Sequence, residues 1–163
     1  MPNQKMIVIE LKGDPNVVAK DVFKKLYKTY YKLKIKDWKM VAPRARWTDI
    51  GLSKENWIGY YGIPVPDSVT QLPPDVNKEG PEVKLETWNY GEIAEILHIG
   101  PYSEETETVN KLGAFIEEKE YRITGMHEEE YLKGPGLWPV NPKNYYTIIR
   151  YTVEKMEQHQ PDV

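Results

Sequence analysis

The chain has no cysteine among its 163 residues, and only three histidines and two phenylalanines. Without cysteine neither a disulfide nor a thiolate metal site can form, which suits a reducing compartment. No apolar run reaches the length of a membrane span. The opening MPNQKMIVIELKGDP interrupts its apolar stretch with charge too early for a signal peptide. These absences read as a soluble, cytoplasmic protein with no membrane association. A strong charge of one sign is also missing: the net charge is -3, which leaves no nucleic-acid footprint. The locally basic KKLYKTYYKLKIKDWKM, residues 24–40, reads as a helix with a solvated lysine face.

Chemical signatures are sparse as well. The sequence contains no Gly-x-Ser-x-Gly elbow, no phosphate-binding glycine loop and no GxGxxG. His127-Glu128 begins like a zinc-protease motif, but Tyr131 stands where the second histidine belongs, so no metal site and no cofactor is expected. His98 sits within an apolar strand and reads as a hydrogen-bonded structural histidine.

What the chain does have is tyrosine and tryptophan, 12 and 5 of them, so seventeen of nineteen aromatic rings carry a polar handle. Such rings suit interfaces and ligand pockets, where an apolar body and a hydrogen bond are needed together. Half-exposed sheet faces would use them equally well.

An internal repeat organises the chain. KMIVIELKGDP alternates Ile7, Ile9 and Leu11 against Met6 and Val8, and EIAEILHIGPY aligns Ile93, Leu97 and Ile99; each ends in a Gly/Pro turn. A helical pattern follows each turn, with Val18, Val22, Leu26, Tyr30 and Leu33 in the first half and Val109, Leu112 and Ile116 in the second. Ser103 reads as an N-cap, and Glu104, Glu105 and Glu107 as first-turn acids favoured by the helix dipole. Two extended segments close each half. The prediction is an α+β fold of tandem duplicated strand-helix-strand-strand units with pseudo-twofold symmetry and a central ligand cleft. Repeat 1 covers about 5–66, a proline-rich linker or crossover about 67–84, repeat 2 about 85–155, and a frayed tail 156–163, all within one domain.

In TGMHEEEYLKGPG, strand alternation puts His127, Glu129 and Tyr131 on one face, and Met126, Glu128 and Glu130 on the other. Glu128 and Glu130 then read as an ordinary solvent pair. Glu129 is either an edge carboxylate or, if the Tyr131 face is inward, a lone acid among rings. An inward Glu129 could pair with a cation or act as general acid or base. Trp47, Trp57 and Tyr60 from the first half, and Tyr102, Trp138 and Tyr145 from the second, are the candidate ring lining, with cation-π contacts available to a charged ligand. Cross-strand aromatic pairing is the alternative for these rings.

HIGPYSEETETVNKLGAFIEEKEYRITGMHEEEYLKGPG followed by NYYTIIRYTV resembles the GyrI-like small-molecule-binding domain, which is related to the effector domains of BmrR-type and AraC-type multidrug regulators. The motifs are Gly100-Pro101-Tyr102 before the helix, Glu129, Tyr131 and Leu132 in the strand, and a final strand near Thr147. The resemblance implies a duplicated unit around a cleft that takes hydrophobic, often aromatic and cationic, molecules, with the key acid at Glu129. It also implies, for some branches, hydrolysis of cyclopropane-bearing genotoxic compounds, with Glu129 and Tyr131 as the working groups. A gyrase-inhibitor-like role on a protein partner is a third reading. No helix-turn-helix fits outside the repeat, so the expected role is a stand-alone small-molecule-binding protein with no direct nucleic-acid contact.

Overall fold

The computed structural model describes residues 1–48, 50–135 and 140–157. Trp138 and residues 158–163 of the expected tail lie outside them. The first half comprises β1 (Gln4–Lys12), α1 (Pro15–Lys32), β2 (Arg44–Thr48) and β3 (Ile58–Pro64). The second comprises β5 (Ile93–Ile99), α2 (Glu105–Glu118), β6 (Tyr121–Ile123), β7 (His127–Lys133) and β8 (Tyr146–Lys155), with β4 (Lys84–Trp88) between the halves. One antiparallel sheet runs β4-β1-β3-β2-β7-β8-β5, and β6 pairs with β8. Within this order β1-β3-β2 mirrors β5-β8-β7, so the seam of the duplication is the β2–β7 pair. Its register sets Arg44, Ala45, Arg46 and Trp47 opposite Glu130, Glu129, Glu128 and His127.

The duplicated turns are built alike. Gly13 has φ +149° and gives its N–H to the Trp57 carbonyl at 3.0 Å; Gly100 has φ +135° and gives its N–H to the Tyr145 carbonyl at 3.0 Å. Both conformations disfavour a side chain, which is why glycine ends each strand. Asp14 then caps α1, its Oδ1 accepting from the Asn16 N–H at 2.8 Å, with Pro15 as the first helical residue.

Both helices pack on one face of the sheet. Val22, Leu26 and Tyr30 of α1 meet Ile7, Ile9, Tyr61 and Ile63, while Leu112 and Ile116 of α2 meet Ile149, Tyr151 and Val153. The expected alternation in β1 is present, since Met6 and Val8 turn to the opposite face and join Trp88. The crossover is ordered against α1: Val76 and Val83 are buried with its core, and Lys25 donates to the carbonyls of Glu79 and Pro81. That lysine therefore anchors the crossover instead of standing free in solvent. Lys84–Trp88, read from sequence as the linker's end and the start of the second repeat, pairs with β1 of the first half.

Candidate functional site

The β2–β7 seam carries different chemistry on its two faces. On the helix face, Glu129 is 8% exposed. Its Oε2 accepts the Tyr131 hydroxyl proton at 2.8 Å, and its Oε1 lies 2.9 Å from His127 Nε2. His127 Nδ1 in turn lies 2.7 Å from the Tyr151 hydroxyl. With Glu129 ionised, His127 Nε2 is the donor to it, and in the neutral ring Nδ1 then accepts from Tyr151, so the chain of bonds holds both side chains in place.

Rings close over this acid from both halves. The centroid of Trp47 is 5.9 Å from His127 and 6.4 Å from Trp57. Phe23 of α1 stands edge-on to both Tyr61, at 5.6 Å, and Tyr131, at 5.9 Å. Tyr102 lies 5.8 Å from Tyr131 and 5.3 Å from Tyr145. Of the sequence candidates, then, Glu129, Tyr131, His127, Trp47, Trp57, Tyr102 and Tyr145 form one connected group. Tyr60 does not: it packs with Met6, Val8 and Trp88 on the opposite face. Trp47 pairs with Gly59, so period two puts Tyr61, not its neighbour, on the Glu129 side.

Glu129 is not the lone acid the sequence suggested. Glu105, the first residue of α2, brings its carboxylate beside it. Ligand atoms of Glu105, His127 and Glu129 lie within 4.8 Å of one another, the one such set with metal-ligand spacing among the described residues. Holding a metal there would require His127 Nε2 to lose its proton and leave Glu129. Burial, then the charge of Glu129 and a hydrogen bond to it, push the Glu105 carboxyl up to about 9. At neutral pH Glu105 therefore keeps its proton, and the pair carries one negative charge. Desolvation and the Glu129 charge likewise push Tyr102 and Tyr131 well above the usual phenol range.

The Glu105 shift makes a stability prediction. The folded protein binds this proton more tightly than the unfolded chain does. The associated stabilisation is therefore full below the ordinary carboxyl range, declines as pH rises, and is gone at about pH 9. Glu105→Gln keeps the shape and a donor but does not ionise. It is expected to be more stable than the wild type by about 2 kcal/mol near pH 8, a figure reduced for partial exposure, with the gap closing toward about pH 4. Thermal melts across that range test it; identical pH profiles would mean that Glu105 titrates as a surface carboxyl does.

The opposite face corrects a second expectation. Glu128 and Glu130 are 2% and 8% exposed, not a solvated pair. Arg150 donates to Glu128 at 2.8 Å, to Glu130 at 2.9 Å and to Glu95 at 2.8 Å. Arg46 reaches Glu128 at 2.5 Å and stacks over Trp88, while Arg44 and Glu128 both bond the Tyr90 hydroxyl. Burial alone would lower the Arg150 pKa, but its three carboxylate partners raise it. The corner between β4 and β5, carrying Trp88 and Tyr90, covers these charges. Elsewhere, His98 is hydrogen-bonded through both ring nitrogens, to Thr108 and to the Pro101 carbonyl, in keeping with a structural role.

The sequence model of the GyrI-like small molecule binding domain matches residues 1–153. The chain belongs to this family. Solved structures carry the same fold. A hydrolase from Listeria innocua superposes with a TM-score of 0.79 at 23% identity, covering 94% of this chain and 88% of that one. The EcmrR C-terminal domain gives 0.67 at 16% identity, covering 96% and 94%. SAV2435 bound to tetraphenylphosphonium gives 0.51 at 10% identity, covering 98% and 94%. No curated protein sequence is significantly similar to the chain. As a GyrI-like domain the protein is a small-molecule-binding module, and among its described residues no helix is long and apolar enough to cross a membrane.

Proposed function

We propose that this GyrI-like domain takes up hydrophobic cations at Glu129, under the rings that cover the β2–β7 seam. The observation that carries this reading is the buried Glu129 carboxylate, with Glu105 beside it, under the rings of Trp47, Phe23, Tyr102 and Tyr131. An enclosed carboxylate is costly to desolvate, and a cation seated beside it offsets that cost while the ring faces add cation-π attraction. A cavity of about 150 Å³ opens on the opposite face, beside Arg46, Glu128 and Arg150, and one of about 310 Å³ lies beside Glu10, Lys12 and Ile58. Glu129 itself is 8% exposed, so a ligand reaching the acid would displace rings. Phe23 and Tyr102 approach from different halves of the repeat and are the natural ones to move. SAV2435, bound to tetraphenylphosphonium, supplies the probe. Calorimetric titration is expected to show tetraphenylphosphonium binding and tetraphenylborate, of the same shape and opposite charge, not binding. Equal affinity for the two would remove the electrostatic part of the proposal.

A second reading is hydrolysis of a strained cyclopropane, favoured by the pairing of a protonated Glu105 with an ionised Glu129 and by a fold shared with Listeria innocua hydrolases. Water would lose a proton to Glu129 as its oxygen bonds to a ring carbon. The ring C–C bond would break, and Glu105 would protonate the departing end. A product heavier by one water after incubation with a cyclopropane-bearing alkylator supports this reading, and unchanged compound eliminates it.

A further inference from the structure

Beside the acid a buried hydroxyl proton has no acceptor. Tyr61 is fully buried and Trp47 is 5% exposed. The Trp47 N–H acts on the Tyr61 oxygen as a donor, and apart from each other neither group has a hydrogen-bond partner among the described residues. Buried donors are nearly always paired, so the Tyr61 proton left over calls for an acceptor. We propose that the Tyr61 hydroxyl, with Trp47 beside it, forms a donor subsite that takes a neutral acceptor, a carbonyl or ether oxygen, on the ligand whose cationic end faces Glu129. This rests on the binding reading above and specifies the ligand further.

The placement comes from the sheet. Tyr61 pairs with Ala45, and Ala45 with Glu129, so the smallest chiral side chain lies between the phenol and the acid. The Tyr61 ring folds back over Gly59, where an added Cβ would sit 2.6 Å from the ring and 2.8 Å from the hydroxyl. Gly59 pairs with Trp47, whose indole meets the Tyr61 ring edge-on at 6.2 Å. The glycine therefore allows the hydroxyl to lie along the strand toward Trp47. The electrostatics agree: burial raises the Tyr61 pKa, a hydrogen bond from the Trp47 N–H lowers it in part, and the Asp14 and Glu129 charges raise it. Tyr131 cannot serve as this donor, because its proton is held by Glu129. Phe23 spans Tyr61 and Tyr131, so one displaced ring opens a path to both the donors and the acid.

The test uses (4-acetylphenyl)triphenylphosphonium and its 4-isopropylphenyl counterpart, which match in shape and charge and differ in the carbonyl. Wild-type protein is expected to bind the acetyl compound about tenfold more tightly. Tyr61→Phe should abolish that preference while leaving the isopropyl affinity unchanged, and Trp47→Phe should reduce it. Because the Tyr61 proton has no internal acceptor, Tyr61→Phe gives up only the Trp47 contact, and the Tm should fall by no more than about 4 °C. If both cations bind, Glu129→Gln weakens both, and the acetyl preference is absent or survives Tyr61→Phe, the subsite is overturned while the Glu129 reading stands. A larger fall in the Tm for Tyr61→Phe also overturns it, by showing the hydroxyl proton satisfied within the protein. If neither cation binds, both readings fall.

Discussion

Arg150→Met is expected to lower the unfolding free energy by about 3–5 kcal/mol, the largest stability effect foreseen for any side chain at the seam. The guanidinium is 4% exposed and divides its donors among Glu95, Glu128 and Glu130. Two of these acids are themselves buried on β7, so removing the cation strands charge where water cannot reach it. Arg46 still faces Glu128, but Arg44 meets Glu130 only at 3.4 Å, and that acid becomes the weak point. Arg122→Met is the control. It breaks an exposed ion pair with Glu154 and should cost no more than about 1 kcal/mol. Urea unfolding of both variants makes the comparison, and equal losses would show that the seam charges are solvated after all.

Glu129→Gln is expected to weaken tetraphenylphosphonium binding about 100-fold with little change in the fold. Glutamine is isosteric, its oxygen can still accept the Tyr131 hydroxyl, and its amide faces a histidine whose tautomer can adjust. What disappears is the negative charge. With Glu129 neutral, Glu105 loses the charge that contributes to its raised pKa, and it then ionises at lower pH. The variant should therefore recover part of its cation affinity toward alkaline pH. In the wild type a bound cation competes with the Glu105 proton, so its affinity should climb as pH approaches about 9. An unchanged affinity in Glu129→Gln at neutral pH would mean that binding is governed by the rings alone.

Much of this architecture is legible in the residues because period-two alternation and glycine turns are local signals. The two Gly/Pro turns, the apolar stripes of α1 and α2 and the inward face of β1 all follow from spacing. The misreadings share one cause. Glu128 and Glu130 read as solvated because antiparallel sheets commonly leave one face wet. Their partners Arg46 and Arg150 lie on other strands, and their cover, Trp88 and Tyr90, comes from a corner with no periodic pattern. Tyr60 and Tyr61 are adjacent, and only the register of β3 against β2 decides which of them faces Glu129. Glu105 was legible in principle. It precedes Val109, Leu112 and Ile116 at helical spacing and so continues the buried stripe, whereas Glu104 and Glu107 do not. Reading all three as first-turn acids hid that difference.

The ligand's charge is expected to be met at Glu129, on the helix face of the seam, and a crystal structure of the complex with tetraphenylphosphonium is the test. The phosphorus should lie within about 6 Å of a Glu129 carboxylate oxygen, with Phe23 or Tyr102 swung away and the phenyl groups against Trp47 and Tyr131. Tetraphenylphosphonium bound instead on the opposite face, among Arg46, Tyr90, Glu128 and Arg150, with the rings over Glu129 undisturbed, would contradict it.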